Sequence, residues 1–283
     1  MIRRYHPDDL PEVMRLVRTD EVVTTERVKE VLRDYQTLVF DEGGTVVGLA
    51  CLQPQGKGRY NLRMYTDPGA RRRGVGRDLY AALESLLAEA PPTRVTAMYR
   101  AAADDARAFF ARRGFGLWYA MNQLVYRGPG FPEPAVEVEP YEDRYFDRLI
   151  RLNSEAFYPV RKRLGLEPAA VYRRQNTAEY RAHLAERRGD IFVVHVSGNL
   201  IAGGIVDGEV IDTVAVAPKA QREGFGRALT QFCVNLILRR GKPAVRTSVV
   251  AGSVPPQNLY ASLGFEVSCV YEWVSRRPVD LAK

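Results

Sequence analysis

Hydrophobic residues follow two alternating periodicities along this chain, one typical of helices and one typical of strands. In the first half, apolar positions three or four residues apart predict helices over 8–18, 26–34, 75–90 and 104–113. Short apolar runs between turn residues predict strands over 37–40, 45–52, 61–66, 94–99 and 117–126.

The second half of the chain repeats this order of elements. The same patterns predict helices over 145–156, 177–186, 225–239 and 257–263. They predict strands over 191–196, 200–206, 210–217, 244–250 and 267–274. Because early hairpins are combined with a later strand-loop-helix connection, we predict an α+β fold, in which a mixed α/β sheet has helices on both faces.

The amino-acid sequence is itself duplicated at a constant offset of 150 residues. Pro68, Arg72, Gly74, Gly76, Arg77 and Leu79 are matched by Pro218, Arg222, Gly224, Gly226, Arg227 and Leu229. Ala111, Gly114 and Phe115 are matched by Ala261, Gly264 and Phe265. Two motifs in one register indicate one fold used twice. A Pro- and Gly-rich segment separates the copies, so we predict a first domain over 1–129, a linker over 130–136 and a second domain over 137–283.

Composition and charge narrow the class of protein. Of the 283 residues, 46% are hydrophobic and 27% are charged, which is typical of a globular chain. The net charge of +7 is spread over both halves, which favours an anionic ligand and argues against nucleic acid, since nucleic acid needs a clustered basic face. The three Cys and three His are scattered, so no metal site is predicted. No run approaches the ~18 apolar residues of a membrane helix, and residues 1–6 lack a signal core, so we expect a cytoplasmic protein with no membrane partner.

A glycine-bearing loop before a helix is the strongest chemical signal. In the second copy it contains Gln221, Arg222, Glu223, Gly224, Phe225, Gly226 and Arg227, and in the first copy Arg71, Arg72, Arg73, Gly74, Val75 and Gly76. The first amides of a helix have no internal partner, and glycine lets a ligand approach the backbone. Such a loop can therefore wrap a phosphate or a diphosphate, and the arginines add positive charge.

Two known phosphate-binding loops differ from this one in sequence. A nucleotide P-loop would end in Gly-Lys-Ser/Thr, whereas this loop continues Gly226-Arg227-Ala228. A dinucleotide fingerprint needs a third glycine where Leu229 stands. A glycine-rich helix start that binds nothing is the remaining alternative, and the occurrence of two copies in register argues against it.

These residues resemble the GNAT acetyltransferase superfamily. The strand end Val216-Ala217-Pro218 followed by 221–226 is similar to the acyl-CoA loop of that family, and 259–265 is similar to its Leu-Tyr-x-x-x-Gly-Phe segment. The resemblance extends over nearly the whole chain, with one copy of the motifs in each half. This layout is similar to that of double-domain members such as mycothiol synthase. It implies two tandem GNAT acyl-CoA N-acyltransferase domains.

The resemblance also implies an activity and roles for single residues. The expected activity is that of an acetyl-CoA-dependent N-acetyltransferase, which moves the acetyl group directly to a primary amine of a small molecule or a protein. A bulge in the strand over 210–217 is implied, with the pantetheine arm held by the backbone of Val214 and Val216. Tyr260 is implied as the acid that protonates the departing thiolate. The matching position in the first copy is Phe110, so that copy is expected to be auxiliary, unless a substitute such as Tyr99 acts.

The sequence gives fewer indications of the general base and of the acceptor substrate. Asp212 is the first candidate for the base, because alternation along a strand would place it on the same face as Val214 and Val216. Glu209 and ordered water are the alternatives. The segment 157–176 is rich in basic and aromatic residues, which either suit an acceptor with a carboxylate or phosphate or form a solvated helix face.

Two other functional classes stay open at this point. One is a sensor that binds acyl-CoA without turnover, and the other is a nucleic-acid-binding protein that uses the Arg-rich loops. Strand edges in a tandem protein pair either within the chain or between two chains, so a homodimer is one of the two arrangements.

Overall fold

The computed structural model describes residues 1–17, 28, 32, 35–89 and 91–277, without the side chains of 173 and 174. The predicted helix over 26–34 lies almost entirely outside this part of the chain. The described residues form two compact units, Met1–Trp118 with Glu272–Lys283, and Tyr119–Tyr271.

The first unit is a five-stranded sheet with helices, extended by part of the last strand of the chain. Its elements are β1 (Ile2–Arg4), α1 (Leu10–Val17), β2 (Gln36–Glu42), β3 (Thr45–Pro54), β4 (Arg59–Thr66), α2 (Val75–Glu89), β5 (Arg94–Arg100) and α3 (Asp104–Ala111). The strand β6 (Gly116–Tyr126) begins at the end of this unit. The strands β1 to β5 lie side by side in sequence order, antiparallel as far as β4 and parallel between β4 and β5.

The second unit repeats this plan. Its elements are β7 (Glu139–Pro140), α4 (Phe146–Arg163), α5 (Tyr172–Gln175), α6 (Ala178–Glu186), β8 (Ile191–Val196), β9 (Asn199–Asp207), β10 (Val210–Val216), α7 (Phe225–Arg239), β11 (Val245–Val250), α8 (Val254–Ser262) and β12 (Glu266–Arg276). The strand order is β6-β11-β10-β9-β8-β7, with β10 and β11 parallel.

Helices cover both faces of the sheet in the second unit, and two neighbouring glycines allow them to pack closely. A Cβ on Gly203 would lie 2.6 Å from a methyl group of Leu149 in α4. A Cβ on the next residue, Gly204, would lie 3.2 Å from Leu229 in α7. Since consecutive strand residues point to opposite faces, β9 is enclosed from both sides. The predicted α+β fold with helices on both faces is confirmed.

Each compact unit is completed by strand residues from the other sequence copy. In the first unit, Val274 of β12 joins the apolar core, and the buried Arg276 donates to Glu84 at 2.8 Å. In the second unit, β6 pairs with β11, and its residues Leu124 and Tyr126 are buried in the core. The predicted boundary at 130–136 follows the sequence repeat, whereas the units divide inside β6 and β12, because the final strands of the two copies are exchanged.

Helix ends differ from the predicted ones where proline is present. The helix α8 begins at Val254, three residues before the predicted start, because Pro255 and Pro256 occupy its first turn, where no intrahelical N–H is needed. The helix α4 continues past Pro159 to Arg163, beyond the predicted end at 156. Within the described residues, none of the helices combines the length and apolar character that crossing a bilayer requires.

Candidate functional site

The strands β10 and β11 separate soon after they begin. The two strands pair at Val210 with Arg246, and the pairing is supported by a backbone hydrogen bond of 2.8 Å from Arg246 N to Glu209 O. One residue further along, the connection is made by a side chain instead, since Thr247 Oγ1 donates to the carbonyl of Ile211 at 2.9 Å. A cleft that exposes the backbone edge of β10 therefore opens beyond Thr247.

A bulge interrupts β10 at the start of this cleft. Ile211 is opposite Val206 of β9, and Thr213 is opposite Ile205, so Asp212 is the extra residue. Asp212 is exposed and accepts a hydrogen bond from the hydroxyl of Thr213 at 3.1 Å. The bulge implied by the family resemblance is therefore present.

The bulge also changes which residues of β10 share a face. Ile211, Val214 and Val216 all pack on the α7 side, while Ala215 packs on the α4 side. The argument that alternation places Asp212 on the face of Val214 and Val216 is therefore wrong, because an inserted residue breaks the period of two. Asp212 instead projects from the irregular point of the strand.

The loop after β10 leads into the unpaired amides at the start of α7. After the turn Pro218–Ala220, Arg222 and Gly224 both have left-handed backbone conformations, with φ of 74° and 95°. The first intrahelical bond of α7 runs from Ala228 N to Gly224 O at 3.0 Å, so the amides of 225–227 have no intrahelical partner. A Cβ built on Gly224 would meet no atom within 4 Å, so the space in front of the helix is open.

The basic side chains of this loop are available to an anion. Arg222, Lys219 and Arg227 are exposed, and among the described residues none of them takes part in an ion pair. Arg227 is oriented by a 2.6 Å hydrogen bond to the hydroxyl of Ser262. Gln221 is used locally, since its amide donates to the carbonyl of Val216 at 3.2 Å. The loop therefore combines free amides with uncompensated positive charge.

The loop of the first copy has the same backbone. Arg72 and Gly74 are again left-handed, with φ of 63° and 93°. The helix α2 again begins with a bond to the glycine carbonyl, from Asp78 N to Gly74 O at 2.9 Å. The prediction that both copies build the same type of loop is confirmed at the level of backbone geometry.

Most of the positive charge of the first loop is, in contrast, already compensated, and Arg71 alone of its arginines has no ion pair with a described residue. Three arginines of the loop each have a carboxylate partner: Arg72 with Asp105 at 2.7 Å, Arg73 with Glu42 at 3.1 Å, and Arg77 with Asp78 at 2.7 Å. These pairs are exposed, so each contributes little to stability. They nevertheless compete with any anion for the same guanidinium groups.

Tyr260 lies in the core of the second unit, next to the cleft. The residue is 6% exposed, and its ring meets Phe265 edge to face at 5.2 Å. Burial raises the pKa of Tyr260 to about 12. The phenol is therefore protonated at neutral pH, and it is a proton donor rather than a base.

The corresponding place in the first copy is apolar. Phe110 stacks on Tyr99, with ring centres 5.8 Å apart and planes at 9°. Burial and a hydrogen bond with Glu272 raise the pKa of Tyr99 to about 12, and Glu272 also binds Arg107 at 3.0 Å. The phenol of Tyr99 is thus engaged with a carboxylate.

Two carboxylates lie close to the bulge, and only one of them is without a cationic partner. Glu209 binds Arg246 at 2.8 Å, so its charge is compensated. Asp212 has no ion pair with any described residue. Of the two sequence candidates for the base, Asp212 is therefore the one without a cationic partner among the described residues.

A cavity of about 920 Å³ adjoins the end of β10 on the α4 side. It is lined by residues of α4, β9 and the turn after β10, among them Glu155, Tyr158, Asn199, Ile201, Pro218 and Lys219. A second cavity of about 480 Å³ shares Glu155 and Asn199 and adds Arg148 and Arg151.

Only part of the segment 157–176 contributes to this cavity. Tyr158 lines it, whereas Arg161 is used structurally, since it donates to the carbonyl of Pro168 at 2.9 Å.

Sequence analysis missed Glu155, Asn199 and Thr247. The first two lie on elements far apart in sequence, and a threonine in a strand gives no signal by itself. Among the described residues, no His, Cys, Asp and Glu side chains are grouped as metal ligands would be.

Comparisons with known proteins agree with the duplicated layout. A family model described as an acetyltransferase (GNAT) domain matches two regions, residues 33–116 and 187–267. Mycothiol acetyltransferase of Thermomonospora curvata is 31% identical over 246 residues, which cover 81% of this chain and 78% of that protein.

Solved structures share the fold over almost the full length. A GCN5-related N-acetyltransferase from Sphaerobacter thermophilus has a TM-score of 0.78 at 19% identity, covering 98% of this chain and 96% of its own. A tandem GNAT protein from the clavulanic acid biosynthesis pathway has a TM-score of 0.72 at 18% identity, with 98% of each chain covered.

Proposed function

This chain belongs to the GNAT acetyltransferase family and is an acetyl-CoA-dependent N-acetyltransferase, and we propose that its C-terminal copy carries out the reaction on a primary amine. The N-terminal copy is proposed to be auxiliary. The observation that carries this assignment is the combination of a bulged strand, a buried neutral phenol and a loop with uncompensated arginines, which the described residues show in the second unit and not in the first.

The loop 221–227 is proposed to hold the diphosphate of acetyl-CoA. The amides of 225–227 and the positive end of α7 attract the anion, and Gly224 leaves room for it to approach. Arg222 and Arg227 add charge at the same place. The corresponding loop over 71–76 is proposed as a weaker site, because an anion there must displace existing ion pairs.

The cleft between β10 and β11 is proposed to hold the pantetheine arm. The arm would lie along the open edge of β10 and form hydrogen bonds with the backbone near Val214 and Val216, like an added strand. This places the thioester near the bulge. A backbone N–H there would stabilise the negative charge that develops on the thioester oxygen.

In the chemical step, a neutral amine attacks the thioester carbon, and the carbon–sulfur bond breaks. The amine nitrogen loses its extra proton to Asp212, directly or through water. The thiolate takes the proton of Tyr260 and leaves as CoA-SH. Asp212 then releases its proton to solvent and solvent reprotonates the phenolate, so that each turnover yields one amide and one thiol.

The acceptor is proposed to bind in the cavity beneath α4. Glu155 can bind a cationic amine or a hydroxyl, Tyr158 offers an apolar surface, and Arg148 and Arg151 can bind an anionic substituent. Since a relative over most of the chain is named mycothiol acetyltransferase, non-acetylated mycothiol is the first acceptor to test.

The proposal is tested by calorimetry with acetyl-CoA, followed by an amine screen. We expect one tight acetyl-CoA site per chain and release of CoA thiol with at least one amine. Tyr260→Phe should lower kcat by about 100-fold and leave the Kd of acetyl-CoA within about twofold, because it removes only the proton donor. Tyr99→Phe is the matched control in the first copy and should leave kcat unchanged.

Two outcomes would contradict the proposal. Tight binding of acetyl-CoA without turnover of any amine would indicate a sensor rather than an enzyme. A loss of kcat in Tyr99→Phe but not in Tyr260→Phe would place the reaction in the first copy.

A further inference from the structure

The smaller cavity beneath α4 is lined by two arginines that have no carboxylate partner. Its volume is about 480 Å³, and Arg148 and Arg151 reach it from one face of α4, three residues apart. Among the described residues, neither arginine forms an ion pair. The guanidinium of Arg151 lies over the ring of Tyr172, 5.4 Å from its centre, a contact that orients the side chain without neutralising its charge.

The equivalent place in the first copy is identified by backbone hydrogen bonds. Two bonds of 2.8 to 3.0 Å recur in both copies: Tyr5 N to Thr37 O and Asp67 N to Val47 O in the first, and Tyr141 N to Ile191 O and Ala217 N to Ile201 O in the second. The helices α1 and α4 therefore correspond at an offset of 136 residues, the following hairpins at 154, and the ends of β4 and β10 at 150. Arg151 is thereby matched by Arg15.

In the first copy, the matched arginine is neutralised by two carboxylates. Arg15 binds Glu12 at 3.0 Å and also forms an ion pair with Asp67. Both carboxylates are absent from the second copy, where Arg148 stands at the position of Glu12 and Ala217 at the position of Asp67. The second copy therefore has the same arginine without its partners, and it has a second arginine beside it.

The two cavities beneath α4 adjoin each other, since both are lined by Glu155, Asn199 and Ala217. Ala217 directly follows Val216, at the end of the strand edge proposed to hold the pantetheine arm. The carboxylates of Asp147 and Glu155 also line the smaller cavity, and within the described part of the chain neither is ion-paired with an arginine. A molecule bound there meets separate positive and negative groups.

We propose that Arg148 and Arg151 form an anion subsite of the acceptor cavity, so that the acceptor is a primary amine that also carries a carboxylate or a phosphate. The inference rests on the proposed function, since it assigns this cavity to the acceptor. Guanidinium groups bind either anion through parallel N–H donors. Glu155, where the cavities adjoin, binds the ammonium form of the amine before it is deprotonated for attack.

A solvated helix face is the competing explanation, because Arg148 and Arg151 are exposed. The two explanations differ in how they depend on the charge of the acceptor. Arginines that only face solvent would not discriminate between an anionic amine and its neutral counterpart. An anion subsite favours the anionic one, and it does so only while its arginines are uncompensated.

The first measurement compares matched amines on the full-length wild type with saturating acetyl-CoA. Phosphoethanolamine is compared with ethanolamine, and γ-aminobutyrate with its amide, so that phosphate and carboxylate are tested separately. We expect kcat/KM to be at least about tenfold higher for the anionic member of one or both pairs. The pair with the larger ratio identifies which anion the subsite prefers.

The second measurement gives the second copy the charges of the first. The double variant Arg148→Glu/Ala217→Asp places carboxylates around Arg151 as Glu12 and Asp67 surround Arg15, on a backbone that accommodates them in the first copy. We expect kcat/KM of the preferred anionic amine to fall about 100-fold. The value for the neutral amine should stay within about threefold and the Kd of acetyl-CoA within about twofold.

A matched control removes charge without adding a carboxylate. In Arg148→Gln/Ala217→Asn we expect a loss of about tenfold for the anionic amine, because Arg151 remains uncompensated. If the carboxylate variant does not fold, Arg148→Gln alone is used, and an unchanged kcat/KM for the anionic amine then contradicts the inference.

Several results would overturn the inference while the proposed function stands. Turnover of amines with no preference for the anionic member, or an equal loss for both members in the double variant, would leave the arginines as a solvated face. If no amine is acetylated, the proposed function fails, and the subsite is tested by calorimetry with the same amines. Tighter binding of an anionic member that is lost in the double variant supports the subsite, and equal binding within both pairs contradicts it.

Discussion

The two loops that precede α2 and α7 share a backbone and differ in charge balance. Both have a left-handed arginine and a left-handed glycine before the helix. In the first loop Arg72 is paired with Asp105, and at the equivalent place in the second copy stands Pro255, which leaves Arg222 without a carboxylate. The difference teaches that glycine positions determine the shape of such a loop, whereas neighbouring side chains determine whether it is ready to bind an anion.

The strands before these loops differ by one inserted residue. The strand pair Asn61–Thr96 of the first copy corresponds to the pair Val210–Arg246 of the second. The residue numbers differ by 149 between β4 and β10 and by 150 between β5 and β11. After Asp212, the difference is 150 for β10 as well. The register of β3 on β4 runs without a shift, so Asp212 has no counterpart in the first copy. A single insertion therefore separates the regular strand from the bulged one.

Cutting the chain between the copies should have the largest effect. Fragments 1–129 and 130–283 each lose strand residues that complete a core, since Val274 lies in the first unit and Leu124 in the second. We expect neither fragment alone to show a cooperative thermal transition, and co-expression to restore the folded protein. A sharp unfolding transition in either isolated fragment would show that the exchanged strands are dispensable.

The second largest effect is expected from adding a side chain at the loop glycine, which should distinguish the two proposed acetyl-CoA loops. Gly224→Val forces a branched residue into a left-handed conformation and fills the open space before α7, so we expect acetyl-CoA affinity to fall at least about 100-fold. Calorimetry is the measurement, and Gly74→Val is the matched control. If Gly74→Val has the larger effect on binding, the first loop is the main acetyl-CoA site.

Transferring the carboxylate of the first loop to the second should have the smallest effect. Pro255→Asp places a carboxylate opposite Arg222, as Asp105 is opposite Arg72, and an exposed pair of this kind contributes about 1 kcal/mol or less. We therefore expect acetyl-CoA affinity to weaken about three- to fivefold, as measured by calorimetry. Pro255→Asn controls for loss of the proline. Equal affinities of these two variants would show that charge compensation does not decide between the loops.

The periodicity of apolar residues predicted most elements to within a few residues, and the family that the glycine loop and the 259–265 segment resemble was confirmed by the comparisons. Local patterns suffice for these elements because each helix or strand buries one apolar face in a core. The helix α4 was predicted too short, since Pro159 weakens the local signal while packing of α4 on β9 maintains the helix. The placement of Asp212 was wrong, because a bulge is visible only in the pairing of two strands.

The sequence by itself determined that the protein is a duplicated α+β fold with two glycine loops. It also determined that the second copy has a tyrosine, Tyr260, where the first copy has Phe110. These features depend on residue types and short-range spacing. Only the tertiary structure decided that the last strands are exchanged, that three arginines of the first loop are paired with carboxylates, and that the Thr247 hydroxyl donates to the carbonyl of Ile211. Each of these depends on pairs of residues that are distant in the chain, and their proximity results from packing and strand register rather than from local sequence.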